Sequence, residues 1–279
     1  MHTLSVSNLS FRADLHCHTT CSDGSLTPQA LILLAKSIGL SGLSITDHDT
    51  VDSYASAKPF AKEQGILLGH GAEFSCLFQD LSVHVLAYDF WLEHKSLNEL
   101  CENHRERRLQ RNQVILEKLK RLKMVIEEDE LNAMGHTIGR PHIAQLLVKK
   151  GYVSSIKEAF QLYIGDGKPC FFRGPVFTVE ETLQIIHAAE GKAFLAHPHL
   201  IQHTSKIKEL LKLPFDGIEC HYARLLPEKE KKWIKLAKEK GLLMSGGSDF
   251  HGESKEHSPL GSSWVDQESF YKIFNRHLV

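Results

Sequence analysis

Residues 14–24 read Asp-Leu-His-Cys-His-Thr-Thr-Cys-Ser-Asp-Gly, which is the pattern Asp14-Leu15-His16-x-His18-x4-Asp23-Gly24. Two imidazoles two residues apart on an extended backbone point to one face, because side chains alternate with period two. Both can reach one cation. Asp23, in a glycine-containing turn, supplies an oxygen donor nearby. Taken alone, the pair equally describes ordinary surface or core histidines, and the rest of the chain decides between the two.

The chain has 279 residues, 42% hydrophobic and 24% charged, with a formal net charge of −1. This is a globular balance, and the length suits one large domain or one domain with an insertion. The charge gives no global case for duplex DNA or a membrane as partner. No apolar run approaches the roughly 20 residues that a bilayer span needs. Met1-His2-Thr3-Leu4-Ser5 lacks the charged and apolar segments of a signal peptide, so a cytoplasmic protein is expected. Six cysteines form no CxxC pair and read as reduced thiols. Cys17 should point away from the face that His16 and His18 share. Histidine is the outlier, with eighteen copies, and it is the commonest metal ligand.

Short apolar runs alternate with helical patterns. Strands are expected within Arg12–His16, Gly42–Thr46, Ile66–Phe74, Leu81–Tyr88, Lys192–Pro198, Phe215–His221 and Leu242–Gly252. Helices are expected at Gln29–Ile38, opened by Thr27-Pro28, and at Val51–Gln64, closed by Gly65. Such alternation predicts βα units, a parallel sheet and a closed or nearly closed α/β barrel. His16/His18, His48, Glu73, His84, His197 and Asp249/His251 fall at or just beyond strand ends. In α/β barrels the active site is built from such ends, and six strands ending this way by chance is improbable.

Residues 97–179 break the alternation. Leu100–Met124 is a helical pattern with eight basic residues, from Arg105 to Lys123. Gly139-Arg140-Pro141-His142 opens another helix, and Ser155–Ile164 forms a third, followed by Gly165-Asp166-Gly167-Lys168-Pro169. This is expected to be a helical insertion, giving barrel segments 1–98 and 184–279 around a cap at 99–183. The basic helix reads as a solvated face with internal i,i+4 pairs, the alternative being a nucleic-acid surface.

The set HxH-x4-D-G, Thr46-Asp47-His48-Asp49, Glu73, His84, Ala196-His197-Pro198 and Ser248-Asp249-Phe250-His251-Gly252 resembles the PHP (polymerase and histidinol phosphatase) superfamily along the whole chain. Residues 139–144 and 163–169 resemble the insertion of its TrpH/YciV-like subgroup of 3′,5′-nucleoside bisphosphate phosphatases and 5′→3′ exonucleases on short RNA. The resemblance implies a distorted (β/α)7 TIM-like barrel, the PHP fold, with a helical insertion domain. It also implies three metal sites. His16, His18, Glu73 and Asp249 would hold the first metal. Bridging Glu73, His84 and His197 would hold the second, and Asp23, His48 and His251 the third. Two or three divalent ions per chain follow, with Mn²⁺, Fe²⁺ or Zn²⁺ left open by the mixed donor set.

Nitrogen and oxygen ligands with open positions describe a catalytic site, in which two cations turn a shared water into a metal-bound hydroxide able to attack phosphorus. Gly24, Gly252 and Gly246-Gly247 would let backbone approach a ligand. Arg140, at a helix start, and Lys168, in a glycine-flanked loop, are candidate phosphate contacts. Surface charge is the alternative for each. His221 is a candidate phosphate donor or leaving-group acid, or else a buried structural histidine. Asp47 or Asp49 would orient a ligand imidazole. The leading function is hydrolysis of nucleotide phosphate esters such as pAp or AMP, with short 5′-phosphorylated RNA as the alternative substrate. A histidinol-phosphatase-like activity and a non-enzymatic metal-binding module are the competing readings.

Overall fold

The first helix, α1 (Pro28–Ser37), starts where Thr27 accepts a hydrogen bond from the Ala30 amide at 3.2 Å and Pro28 supplies the first turn. It joins strand β1 (Ala13–Cys17) to β2 (Gly42–Ile45). The second helix, α2 (Tyr54–Gln64), ends at Gly65 in the left-handed region and leads to β3 (Leu67–Phe78). The computed structural model describes residues 10–135, 137–201, 204–255 and 257–279. The reading of Met1–Ser5 lies outside them.

Among the described residues, seven strands form one sheet in chain order, continuing with β4 (Leu81–Tyr88), β5 (Lys192–Leu195), β6 (Gly217–Tyr222) and β7 (Leu243–Gly247). Phe250, just past β7, closes the ring onto β1: the His18 amide donates to its carbonyl at 2.8 Å, and its own amide donates to the His16 carbonyl at 3.3 Å. The result is a nearly closed barrel. It departs from the expected all-parallel sheet at one strand. β4 runs antiparallel to both β3 and β5. Phe78 and Leu81 pair across the Gln79-Asp80 turn, where Gln79 has φ 57°. A two-residue connection can only return antiparallel, because a parallel partner needs a crossover of a dozen or more residues. Glu73 therefore lies mid-strand in β3, and His84 lies early in β4.

Between β4 and β5 come α3 (Lys95–Arg121), α4 (Glu128–Asn132), α5 (Arg140–Lys149), α6 (Ile156–Ala159), a π-helical turn at Phe160–Ile164 and α7 (Val179–Ala188). Residues 115–170 of this stretch build an apolar core of their own, including Ile115, Leu119, Ile143, Leu147 and Ile164. The remaining helices are α8 (Thr204–Leu210), α9 (Pro227–Lys240) and α10 (Gln267–Ile273). Among the described residues, no helix is both long and apolar enough to cross a membrane.

The long helix α3 departs from its expected solvated face at three of its eight basic residues. Arg107, Arg108 and Arg111 are buried, in one stripe with Leu97, Leu100, His104, Ile115 and Leu119. That stripe follows the three-to-four-residue spacing of a core-facing helix.

Candidate metal centre

Strand alternation puts His16 and His18 on the inner face of β1, both fully buried. Cys17 points the other way and donates to the Ser44 carbonyl. The Nε2 of His16 lies 3.2 Å from Glu73 Oε2 and 3.4 Å from Asp249 Oδ1. The Nε2 of His18 lies 3.3 Å from each of the same two oxygens. Glu73 thus sits at the middle of the cluster. Its Oε2 is 3.1 Å from His48 Nδ1, and its Oε1 is 2.8 Å from His84 Nδ1 and 2.9 Å from His197 Nε2. Asp23 lies 3.8 Å from His48 and 3.4 Å from His251. The structure thus brings all nine expected metal-site residues into one constellation. Donor atoms of three sets each fall within 4.8 Å of one another: His16/His18/Glu73/Asp249, His48/Glu73/His84 and His18/Asp23/His48/His251.

The antiparallel return of β4 makes the middle set. His84 pairs in register with Ser75, two residues beyond Glu73 and on the same face of β3. His197 and Asp249, at φ 26° and 51°, hold backbone conformations that L-residues rarely adopt, as does Asp49 at 58°. Such conformations cluster where the surrounding structure fixes a functional geometry.

Electrostatics fit a cation. Burial pushes the carboxylates up, but imidazoles overcome it: His48, His84 and His16 hold Glu73 well below the usual range, His48 and His251 do so for Asp23, and His16 and His251 for Asp249. Burial also pulls His16 and His18 down, yet the facing carboxylates hold His16 well above its ordinary value and His18 at about 9. In His48 burial prevails and lowers it to about 3. Both ring nitrogens of His18 are buried and make no well-aligned hydrogen bond among the described residues, although two carboxylate oxygens lie 3.3 Å from Nε2. Buried donors without partners are costly. A divalent ion among ionised carboxylates and deprotonated imidazoles would satisfy them.

The carboxylate that braces an imidazole of the cluster is Glu219 of β6, in place of the expected Asp47 or Asp49. Its Oε1 is 2.8 Å from His16 Nδ1, and its Oε2 accepts the His197 amide at 2.6 Å. Asp47 instead holds the loop after β1, accepting from the Thr19 amide and hydroxyl and the Ser22 hydroxyl at 2.6–2.7 Å. Tyr222 donates to Asp249 Oδ2 at 2.6 Å, and Lys255 pairs with the same oxygen. The glycines serve backbone packing. A Cβ on Gly247 would lie 2.3 Å from the His16 amide nitrogen, and one on Gly24 would lie 2.3 Å from the His18 carbonyl oxygen.

Of the expected phosphate contacts, Arg140 faces a cleft that His84 shares with the cluster. Arg107, Arg111, Arg173 and Phe171 also line it. Arg140 pairs with Asp166 at 2.7 Å and lies over the Phe171 ring at 5.3 Å. Arg111 has no carboxylate partner among the described residues: it donates to Asn112 Oδ1 at 3.0 Å and to the Ile138 carbonyl at 3.3 Å. Lys168 is exposed in its turn and does not line the cleft. The Nδ1 of His221 pairs with Glu230, in a separate cleft with Arg224 and Trp264. Arg107, Arg111, Arg173 and Glu219 were missed from sequence. The helical stripe that α3 shares between arginines and leucines was the available signal for the first two.

The sequence profile of the PHP domain matches residues 14–166. The 5′-3′ exoribonuclease Rnm of Escherichia coli is 33% identical over 257 residues, covering 89% of this chain and 88% of that protein. A 3′,5′-nucleoside bisphosphate phosphatase of Chromobacterium violaceum is 30% identical over 258 residues, covering 89% and 90%. A solved structure from Bifidobacterium adolescentis, described as a candidate metal-dependent phosphoesterase, is similar with a TM-score of 0.87 at 30% identity, covering 95% of this chain and 96% of its own.

Proposed function

The chain belongs to the PHP domain family of metal-dependent phosphoesterases, and we propose that it hydrolyses nucleotide esters that carry a second, remote phosphate. The substrates are a 3′,5′-nucleoside bisphosphate such as pAp and, by the same chemistry, a short 5′-phosphorylated RNA. The observation that carries this reading is the arginine cleft that shares His84 with the metal cluster. Four guanidiniums face it, with Asp166 the one carboxylate among the described lining residues and Asp49 paired to Arg107 from behind, so positive charge remains in excess and a dianion is the occupant it selects. The names of the two relatives, a bisphosphate phosphatase and an exoribonuclease, agree with that class.

Two or three divalent ions, Mn²⁺, Fe²⁺ or Zn²⁺, would be held by His16, His18, Asp23, His48, Glu73, His84, His197, Asp249 and His251. When bound, they supply Lewis acidity that activates water and neutralises charge on the reacting phosphate. The chain's own residues do the rest. Glu219 fixes the His16 ring, and Glu73 belongs to two of the three donor sets. Arg107, Arg111 and Arg140 grip the remote phosphate and so set where the reacting ester lies. Lys168 has no place in this grip. With His221 turned to Glu230, the donors beside Asp249 are Tyr222 and Lys255.

Steady-state kinetics with Mn²⁺ on pAp, AMP, 5′-phosphorylated di- to pentanucleotides and histidinol phosphate test the reading. The first and third should exceed the other two in kcat/KM by at least 10-fold. A preference for histidinol phosphate, or no hydrolysis of any ester, would overturn it.

A further inference from the structure

A second cleft, of about 370 Å³, opens on the other side of the cluster beside Asp23. Its walls are the loop after β1, with Thr20, and the insertion, with Met134, His142 and Gln145. The first turn of α5 divides the two openings: Arg140 faces the arginine cleft, and His142 faces this one. His142 is braced, its Nδ1 accepting the Gly139 amide at 3.0 Å. The two clefts therefore meet different donor sets, one through His84 and the other through Asp23. The volume falls in the roughly 300–1,000 Å³ range of small-ligand pockets.

We propose that this cleft seats the base and ribose of the nucleotide that follows the scissile phosphate in an RNA chain. The inference rests on the proposed nucleotide hydrolysis. In that reaction a water oxygen joins phosphorus, the P–O3′ bond breaks, and its electron pair leaves on O3′, which takes up a proton. The 5′-ester to the following nucleoside stays on the phosphate. With pAp, nothing lies beyond the phosphorus. With RNA, a nucleoside must, and it needs room on the side away from the arginines. Among the described residues, the lining of the Asp23 cleft contains no lysine or arginine and includes Asp23 and Glu253, so it favours the uncharged part of a nucleotide over a further phosphate. Met134 offers an apolar surface to a base. The Gln145 side chain is half-buried and has no hydrogen-bond partner among the described residues, so its amide is available to base edges or a ribose hydroxyl.

Filling the cleft tests this. Gln145→Trp fills it from the insertion side, and Thr20→Trp fills it from the barrel side should the first variant fold poorly. The proposal expects kcat/KM for the 5′-phosphorylated dinucleotide pApA to fall at least 10-fold while pAp stays within twofold. In EDTA, fluorescence anisotropy of a 3′-labelled, 5′-phosphorylated RNA trinucleotide should show at least 10-fold weaker binding. Equal loss on pAp and pApA, or no loss on pApA, overturns the cleft assignment and leaves pAp hydrolysis standing. A wild-type protein that cleaves neither substrate overturns the function and this inference together.

Discussion

Arg111→Met is the sharpest perturbation of the arginine cleft. Methionine keeps most of the apolar stem and removes the guanidinium. Arg111 is 8% exposed. Burial, followed by the charges of Arg108, Arg140 and Arg107, pulls its pKa well below the ordinary arginine value. Its described acceptors, Asn112 Oδ1 and the Ile138 carbonyl, are neutral. Its charge therefore gains little from the fold and much from an incoming phosphate. A charge-assisted hydrogen bond contributes about 1.5–3 kcal/mol. At about 1.36 kcal/mol per decade, that is roughly a 10- to 150-fold loss of kcat/KM for pAp. p-Nitrophenyl phosphate has no second phosphate, so its kcat/KM should change less than threefold. Thermal unfolding should be no lower than wild type, since like-charge repulsion with Arg107, Arg108 and Arg140 is relieved. Equal losses on both esters would place Arg111 on the reacting phosphate, and a loss below threefold on pAp would refute the reasoning.

Arg140→Ala should show the same split between pAp and p-nitrophenyl phosphate in parallel kinetics, but a smaller one, because Asp166 at 2.7 Å already neutralises part of its charge. Glu73→Gln keeps the shape of the central carboxylate and removes its charge. At least a 100-fold drop in kcat is expected, about the 3 kcal/mol typical of losing one electrostatic stabiliser, and a change below fivefold would contradict its central role. Elemental analysis of protein purified without chelator should find two or three divalent ions per chain, and a fully active metal-free preparation would refute this. Asp49→Ala leaves Arg107, Arg108 and His104 around an uncompensated site, and calorimetry should register a loss of about 3–5 kcal/mol. Burial works against the Asp49 charge, but His104, Arg108 and Arg107 hold its carboxyl below the ordinary 3.8. Its stabilisation is then complete above that pH and is lost as pH falls through the depressed value.

Of the nine candidate metal-site residues, His16 and His18 could be read from strand alternation, whose period is two, and the others from their places at or beyond strand ends together with the resemblance to the PHP family. The direction of β4 could not. The Gln79-Asp80 turn carries neither Asn-Gly nor Asp-Gly, the pairs that announce a tight hairpin. His221 shows how a register argument fails. Regular alternation puts Glu219 and His221 on one face, but the pairing of β6 with β7 shifts register between them. One extra residue moves the following side chains to the opposite face. Tyr222 thereby reaches Asp249, and His221 turns to Glu230. Glu219 was invisible for another reason: a single carboxylate in an apolar strand has no spacing to mark it. The arginines of α3 carried a signal that composition obscured, since residues 104, 107, 108 and 111 continue the spacing of Leu97 and Leu100.

Three consecutive residues tie these parts into one device. Asp47 anchors the loop that carries Asp23, through Thr19 and Ser22. His48 faces both Asp23 and Glu73, so it belongs to two of the three donor sets. Asp49, turned by its positive φ, accepts the Ser75 amide at 2.7 Å and pairs with Arg107 and Arg108 of α3. Arg107 lines the cleft proposed for the remote phosphate, and Ser75 is the register partner of His84. On the proposed reading, the distance between the arginine cleft and the histidine-carboxylate cluster is thus set through one buried carboxylate next to His48. Loosening Asp49 should therefore alter more than stability. With the arginines free to shift, a substrate bound through its remote phosphate would present its ester less accurately. The loss on pAp should then fall on kcat as well as KM, whereas p-nitrophenyl phosphate, which depends on the cluster alone, should keep its kcat in the fraction of Asp49→Ala that remains folded.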